Sequence, residues 1–151
     1  HRVDRRQRQM CIRDRSEGVE QLSIFDVEPA RAQALAANLN KHFGSQRARA
    51  GGDLASAMAN ADGLVNTTPM GMAKLPGMPI AKELLRAALW VAEIVYFPLE
   101  TELLREARAL GCRTLDGGNM AVFQAVKAFE LFSGAEADAQ RMLDHFHSMS
   151  A

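Results

Sequence analysis

The alternation of short apolar runs with helical patterns constrains the fold of this chain most. Four apolar-rich runs have the length of single strands, and a fifth segment, residues 46–50, could be a short edge strand although it contains two arginines. A turn, or a segment whose apolar residues recur every three or four positions, separates each from the next. The predicted strands are residues 19–25, 46–50, 64–66, 90–96 and 112–115. Strands that alternate with helices pack as a parallel sheet covered on both faces. The sequence therefore predicts a doubly wound α/β fold.

Ordinary start and stop signals mark the helices between these strands. Pro29 suits a first helical turn, and Gly44 ends that helix. Asp53 and Thr101 are N-cap residues for the helices that follow them, and residues 116–118 predict a tight turn. The predicted helices cover residues 29–43, 54–60, 81–88, 101–110, 120–132 and a last amphipathic segment around 142–146.

The strand at residues 64–66 ends abruptly at small polar residues. Asn66, Thr67 and Thr68 follow its apolar part, and Pro69 and Gly71 then turn the chain. In open α/β sheets, ligands bind at the carboxyl ends of the strands. These amide and hydroxyl groups therefore indicate a ligand site, although a polar turn between a strand and a helix explains this stretch equally well on its own.

An acidic residue, Asp26, closes the first predicted strand. In a dinucleotide fold, a carboxylate at this point accepts hydrogen bonds from the adenosine ribose and repels a 2′-phosphate, so that Asp26 favours NAD over NADP. The alternative is that Asp26 caps the following helix. The glycine-rich turn and the strand that should precede Val19 are absent from this sequence, so we expect an incomplete sheet without its first strand.

The net charge of zero hides two different segments. Residues 1–16 contain six arginines and two aspartates, which gives +4, and the remainder carries −4. A basic arm for nucleic acid is one interpretation of the first segment. We prefer another, because residues 8–16 resemble the translated sequencing-adaptor peptide that contaminates assembled gene fragments. We therefore expect residues 1–16 to be non-native and residues 17–151 to form the domain.

The remaining composition excludes several classes of protein. The sequence contains neither a signal-peptide pattern nor an apolar run long enough for a membrane span, so we expect a cytoplasmic protein without nucleic-acid or membrane partners. Two cysteines, Cys11 and Cys112, are too few for a disulfide framework or a zinc site. The four histidines have no metal-ligand spacing, and we expect no metal.

Three blocks of sequence resemble one enzyme family in order and spacing. They are Asn-Thr-Thr-Pro-Met-Gly-Met at 66–72, Val-Tyr-Phe-Pro-Leu-Glu-Thr-Glu-Leu-Leu at 95–104, and Leu-Asp-Gly-Gly-Asn-Met-Ala-Val-Phe-Gln-Ala at 115–125. From about residue 18 onward the chain resembles the C-terminal cofactor domain of the shikimate dehydrogenase family, and more closely its quinate/shikimate dehydrogenase branch. The resemblance implies a Rossmann-like fold with strand order 3-2-1-4-5-6.

The resemblance implies how the adenosine side of the cofactor would be bound. Asp26 would hold the adenosine ribose and Arg31 would lie beside the adenine, although an arginine on a helix surface is more often simply solvated. Asn66, Thr67 and Thr68 would line the ribose and pyrophosphate. NADP-using relatives tend to carry Asn-Arg-Thr where this chain has Asp-Val-Glu at 26–28, which also favours NAD, with NADP the alternative.

The resemblance also implies residues at the nicotinamide and the substrate. Ile94 would contact the nicotinamide end, and Asn119 and Met120 would complete the cofactor side. Asn119 replaces a glycine of the biosynthetic enzymes, which fits the quinate/shikimate branch. Tyr96 and Gln124 would hydrogen-bond the substrate. Without the family match, a core-edge tyrosine and a surface glutamine would be the ordinary interpretations.

The activity implied is hydride transfer between NAD or NADP and the C3 hydroxyl or ketone of shikimate or quinate, in aromatic amino acid biosynthesis or quinate use. In the family, a Lys–Asp pair on the N-terminal substrate domain moves the proton, so we assign no catalytic residue to this chain. We expect the segment alone to be inactive, and the whole enzyme to be a monomer or homodimer. The alternative is a non-catalytic nucleotide-binding or regulatory module, against which Tyr96 and Gln124 argue.

Overall fold

The computed structural model describes residues 19–43 and 46–149. The arginine-rich residues 1–16 and the predicted helix stop at Gly44 lie outside the described residues. The described part of the chain divides into two compact units between Asn60 and Ala61. None of the helices in this part is long and apolar enough to cross a membrane.

The first unit consists of two parallel strands and two helices. Its elements are β1 (Leu22–Ile24), α1 (Pro29–Phe43), β2 (Ala48–Ala50) and α2 (Leu54–Asn60). β1 pairs with β2, with Leu22 opposite Ala48, and the small apolar face of α1 packs against both strands. The core of this unit consists of Ile24, Ala32, Ala36, Leu39 and Ala48.

The arginine-containing strand β2 is held by a side chain as well as by its neighbour. Asn40, near the end of α1, donates to the Ala48 carbonyl oxygen at 2.8 Å and accepts from the Ala48 N–H at 3.0 Å. The amide side chain thus satisfies both backbone groups of Ala48, as a neighbouring strand would. The predicted strand at 46–50 is therefore confirmed, although it is shortened to three residues.

The second unit contains a three-stranded parallel sheet with helices. Its elements are β3 (Gly63–Asn66), a 3₁₀ turn (Lys82–Leu84), β4 (Trp90–Glu93), α3 (Glu102–Ala109), β5 (Arg113–Leu115), α4 (Gly117–Ser133) and α5 (Ala139–Met149). The strand order is β3–β4–β5. Leu103, Leu104 and Ala107 of α3 are fully buried where α3 packs on β4 and β5, and α4 packs on α5.

The predicted parallel α/β architecture is confirmed. Within each unit, the neighbours β1–β2 and β3–β4–β5 agree with the neighbours 2-3 and 4-5-6 of the order 3-2-1-4-5-6. Each strand pair in the described residues is parallel, and a helix lies between successive strands except between β3 and β4, where only the 3₁₀ turn is found. Within the described residues, no strand pairing joins the two sheets.

Besides β2, three predicted elements are clearly shorter than expected. The strand predicted at 19–25 is only Leu22–Ile24. The helix predicted at 81–88 is only the 3₁₀ turn Lys82–Leu84, after which Leu85 is extended. The strand predicted to reach Tyr96 ends at Glu93, because the N–H of Val95 donates to the Glu93 side chain at 3.0 Å instead of to a neighbouring strand. The Phe97–Pro98 peptide bond that follows is cis.

The tight turn predicted at residues 116–118 is wrong. Asp116 is the N-cap of α4, and its carboxylate accepts from the N–H of Gly118 at 3.0 Å and of Asn119 at 3.3 Å. Gly117 and Gly118 therefore form the first turn of the helix and have negative φ angles. The Gly-Gly pair is explained by close packing around it and not by a turn.

Candidate functional site

Three segments of the second unit meet at the carboxyl edge of its sheet. The N–H of Ile94 donates to the Asn66 carbonyl oxygen at 3.1 Å, so that the residue after β4 is bonded to the last residue of β3. A Cβ atom on Gly117 would lie 2.6 Å from the Ile94 carbonyl oxygen, so that the N-terminus of α4 lies directly against the same segment. This edge is where ligands bind in parallel α/β sheets.

The side chain of Asn66 shapes the loop after β3. It is 2% exposed, and its Oδ1 accepts from the Thr68 N–H at 3.0 Å and from the Thr68 hydroxyl at 2.8 Å. Its Nδ2 donates to the Met70 carbonyl oxygen at 3.1 Å. These bonds occupy the Asn66 amide within the protein, so its contribution to a ligand site is the conformation that it gives to residues 67–70.

Thr67 and Thr68 differ in what they leave free for a ligand. The Thr68 hydroxyl donates to Asn66 and accepts from the Met70 N–H at 3.1 Å. Thr67 is half-buried, and within the described residues its hydroxyl makes no hydrogen bond. One motif predicts both threonines for the site, but only the Thr67 hydroxyl can still both donate to and accept from a ligand.

A buried carboxylate, Glu93, lies beside Asn66 and was not among the residues predicted for the site. Glu93 is 2% exposed, and its two oxygens accept from Asn66 Nδ2 at 3.0 and 2.9 Å and from the Thr101 hydroxyl at 3.2 Å. Burial raises the pKa of the Glu93 carboxyl, while the hydrogen bonds from Asn66, Val95 and Thr101 act in the opposite direction. One signal in the sequence could have indicated it, because an acidic residue inside an apolar strand requires buried partners.

The residues expected at the nicotinamide and the substrate all belong to the second unit. Ile94 is half-buried after β4, and Asn119 and Met120 are half-buried in the first turn of α4. Tyr96 is 48% exposed and Gln124 is exposed on α4. Within the described residues, neither the Tyr96 hydroxyl nor the Gln124 amide makes a hydrogen bond, so both groups are free for a ligand.

The residues expected at the adenosine belong to the first unit. Asp26 is half-buried two residues after the end of β1, and its Oδ1 accepts from the Glu28 N–H at 2.8 Å. Because α1 begins at Pro29, this bond forms a turn before the helix, while Oδ2 makes no hydrogen bond within the described residues. Arg31 is exposed and pairs with Glu28 at 2.8 Å.

Among residues 19–43 and 46–149, no three side chains of His, Cys, Asp or Glu lie close enough together to hold a metal ion. Cys112 is buried, and its thiol contacts the Arg86 carbonyl oxygen at 3.2 Å.

Comparison with known proteins identifies homologues along most of the chain. No protein-family profile matches it. A shikimate dehydrogenase (NADP(+)) of Streptomyces avermitilis is 59% identical over 128 residues, which cover 83% of this chain and 44% of that protein. A quinate/shikimate dehydrogenase (NAD(+)) of Corynebacterium efficiens is 50% identical over 134 residues, 87% of this chain and 47% of the relative.

A solved structure agrees with these relatives. The quinate dehydrogenase of Corynebacterium glutamicum in complex with NAD matches with a TM-score of 0.81 and 47% identity, over 88% of this chain and 48% of that one. The chain thus spans a little under half the length of the relatives that it matches. By sequence and by fold, it is a homologue of the shikimate and quinate/shikimate dehydrogenases that corresponds to slightly less than half of their length.

Proposed function

We propose that this chain is the cofactor-binding half of an NAD(P)-dependent shikimate or quinate dehydrogenase. The reaction would transfer a hydride between the nicotinamide and the C3 hydroxyl or ketone of the substrate. The observation that carries the proposal is the meeting of Asn66, Ile94 and Gly117 at one sheet edge, since each belongs to or adjoins one of the three sequence blocks typical of the family.

The nicotinamide end of a dinucleotide fits the second unit. Gly117 has no room for a side chain, so the backbone at the start of α4 lies close to Ile94. Ile94, Asn119 and Met120 would provide half-buried walls for a flat ring, and Thr67 would offer a free hydroxyl to the ribose or pyrophosphate. When bound, the cofactor supplies the hydride chemistry, and these residues bind and orient it.

The adenosine end fits the first unit, and its charges favour NAD. Asp26 has one carboxylate oxygen free to accept from a ribose hydroxyl, and the Glu28 carboxylate lies two residues away. Glu28 is paired with Arg31 at 2.8 Å, so the uncompensated charge at this point is that of Asp26, which would repel a 2′-phosphate. The relative from Corynebacterium is named for NAD(+) and the one from Streptomyces for NADP(+), so the preference proposed for this chain rests on Asp26.

The substrate would be held by Tyr96 and Gln124. Both have polar groups without partners among the described residues. Tyr96 lies two residues after Ile94, and Gln124 lies in α4, whose first residue packs against Ile94. Shikimate and quinate carry several hydroxyl groups, which a phenol hydroxyl and a carboxamide can bind as donors or acceptors. We assign no proton-transfer residue to this chain.

A chimera tests this function directly. In the quinate dehydrogenase of Corynebacterium glutamicum, residues 19–149 of this chain would replace the part of the enzyme that they match. We expect this 19–149 chimera to oxidise quinate or shikimate with NAD faster than with NADP. Steady-state rates with each substrate and each cofactor provide the measurement, and the unmodified enzyme is the control.

Two outcomes would contradict the proposal at different points. A folded chimera without dehydrogenase activity on either substrate would reject the enzymatic function and favour a non-catalytic nucleotide-binding module. An active chimera that prefers NADP would keep the function and reject the role given to Asp26.

A further inference from the structure

Glu93 is an unusual residue for the interior of a parallel sheet. It ends β4, is 2% exposed, and lies opposite Asn66 in the strand register. An isolated carboxylate in such a place is expensive to bury, and burying an uncharged methylene chain there would cost nothing comparable. The position of this charge therefore requires a reason beyond packing.

The partners of Glu93 are hydrogen-bond donors. The Asn66 amide reaches both carboxylate oxygens at 3.0 and 2.9 Å, the Val95 N–H donates at 3.0 Å, and the Thr101 hydroxyl donates at 3.2 Å. As the N-cap of α3, Thr101 uses its oxygen to accept from the Leu104 N–H. The hydrogen of the same hydroxyl is therefore available to donate to Glu93. The carboxylate thus connects the ends of β3 and β4 with the start of α3.

The carboxylate determines which way the Asn66 amide points. An ionised carboxylate can only accept, so the NH₂ end of Asn66 must face Glu93 and its oxygen must face away. That oxygen then receives the N–H and the hydroxyl of Thr68, while the remaining NH₂ hydrogen reaches the Met70 carbonyl. The conformation of residues 67–70 follows from this orientation.

The other end of the loop, at Gly71, packs against Thr101 and Glu93. Gly71 is buried with φ +101°, and a Cβ atom there would lie 3.2 Å from Thr101 Cγ2 and 3.8 Å from Glu93 Oε2. Hydrogen bonds hold the loop on the side of Asn66, and packing holds it at Gly71. Asn66 contacts Glu93 directly, and Gly71 packs against Thr101, whose hydroxyl donates to Glu93.

We propose that Glu93 is a positioning residue for the cofactor, whose buried carboxylate fixes the Asn66 amide and thereby the loop 67–71 that carries Thr67. The inference rests on the proposed function, because it assigns that loop to the dinucleotide. Glu93 does not touch the cofactor in this scheme. Its effect passes through Asn66 and Thr101.

Two substitutions at Glu93 separate positioning from packing. Glu93→Met keeps the length of the side chain and removes both acceptors, whereas Glu93→Gln keeps one acceptor for Asn66 and Val95. Replacing a buried charge by an apolar side chain of similar size often leaves stability unchanged or improves it. A purely structural role therefore predicts no selective change in the loop. Glu100→Gln is the matched control, since Glu100 is an exposed carboxylate paired with Arg108 at 2.9 Å.

The first measurement is amide hydrogen exchange in the full 151-residue chain. We expect Glu93→Met to speed exchange at the Thr68 and Met70 amides at least about tenfold, as for the loss of one hydrogen bond to a charged group. Glu93→Gln should have a smaller effect, and Glu100→Gln and the amide of Leu39 should show none. Unchanged exchange at Thr68 and Met70 in Glu93→Met would overturn the proposal, and so would unprotected amides at these positions in the unsubstituted chain.

The second measurement is the KM for NAD in the 19–149 chimera. We expect Glu93→Met to raise it about tenfold or more, with partial recovery in Glu93→Gln and no change in Glu100→Gln. A faster-exchanging loop with an unchanged KM would overturn the link to the cofactor. An unsubstituted chimera without activity would instead reject the proposed function, while the exchange rates would still decide whether Glu93 holds the loop.

Discussion

Gly117 lies against the backbone of Ile94, so close that a Cβ atom at residue 117 would approach the Ile94 carbonyl oxygen to 2.6 Å. The Val95 carbonyl oxygen is in contact with the same position. Backbone atoms of a segment anchored to β3 cannot easily move away, because Ile94 is hydrogen-bonded to Asn66. Because Gly117 has no side chain, the start of α4 can pack directly against the backbone that follows β4.

Replacing Gly117 by alanine should destabilise the protein. We expect Gly117→Ala to lower the free energy of unfolding by about 1–3 kcal/mol, the usual cost of overpacking, despite the better helix propensity of alanine. Urea unfolding of the full chain measures this difference. Gly118→Ala is the matched control in the same helical turn.

The control should cost less for a structural reason. A Cβ atom on Gly118 would meet Leu99 Cδ2 at 2.6 Å and Phe146 Cε1 at 2.8 Å, which are the ends of side chains that can rotate away. We expect Gly118→Ala to change the free energy of unfolding by less than about 1 kcal/mol. Equal losses in the two variants would contradict the backbone contact at Gly117.

The sequence predicts the fold well wherever periodicity carries the signal. The helix of residues 29–43 is found as α1, and Thr101 caps α3 as its position before Leu103 and Leu104 indicates. The Gly-Gly pair at 117–118 predicts a turn in the sequence because glycine most often marks one. The close approach of Ile94, which explains Gly117, is a tertiary contact that no local pattern encodes.

The candidate site is predictable only in part, for a similar reason. The motif at 66–68 identifies the correct sheet edge, but the motif cannot distinguish a side chain that faces a ligand from one that shapes the loop. Asn66 is bonded inside the protein, while the Thr67 hydroxyl makes no hydrogen bond within the described ranges. Glu93 is 27 residues from Asn66 along the chain, so only the strand register brings them together.

The raised pKa of Glu93 gives a pH dependence of stability with a definite sign. Burial raises the pKa of this carboxyl above its ordinary value of 4.5, so the folded protein holds the Glu93 proton more tightly than the unfolded chain. The stabilisation is therefore complete below about pH 4.5 and is lost as the pH rises through the raised pKa. The Glu93→Gln variant has no titratable carboxyl at this position and therefore lacks this pH dependence.

Comparison of the wild-type chain with Glu93→Gln isolates this contribution. We expect the stability of the wild type relative to Glu93→Gln to fall as the pH increases from about 4 to about 8, and to level off above the raised pKa. Urea unfolding of both chains at a series of pH values measures it, and the histidines common to both cancel. A difference that stays constant with pH, or grows with it, would show that burial does not raise this pKa.

The charge of Asp26 should decide between NAD and NADP. Asp26→Asn keeps an oxygen to accept from the Glu28 N–H and removes the negative charge that would face a 2′-phosphate. We expect the kcat/KM ratio for NADP over NAD in the 19–149 chimera to rise about fivefold, which corresponds to removal of about 1 kcal/mol of repulsion in water. Steady-state kinetics with both cofactors provide the ratio.

Glu28→Gln is the control for the charge effect. The Glu28 carboxylate is exposed and paired with Arg31 at 2.8 Å, so its charge is already compensated. We expect a change in the NADP-to-NAD ratio of less than about twofold. If Asp26→Asn leaves the ratio unchanged, Asp26 serves the turn before α1 alone, through the Oδ1 bond to Glu28.

The hydroxyl of Tyr96 should matter for the substrate and not for the fold. It has no hydrogen bond within the described residues and the side chain is 48% exposed, so Tyr96→Phe removes no internal contact and should leave the melting temperature unchanged. In the 19–149 chimera, we expect the KM for quinate or shikimate to rise about three- to tenfold, the value of one neutral hydrogen bond, with the KM for NAD unchanged.

Phe97→Leu is the control, because Phe97 is the neighbouring exposed aromatic residue and carries no hydroxyl. Equal effects on substrate and cofactor in Tyr96→Phe would assign this hydroxyl to the cofactor, and no effect on either would remove Tyr96 from the site.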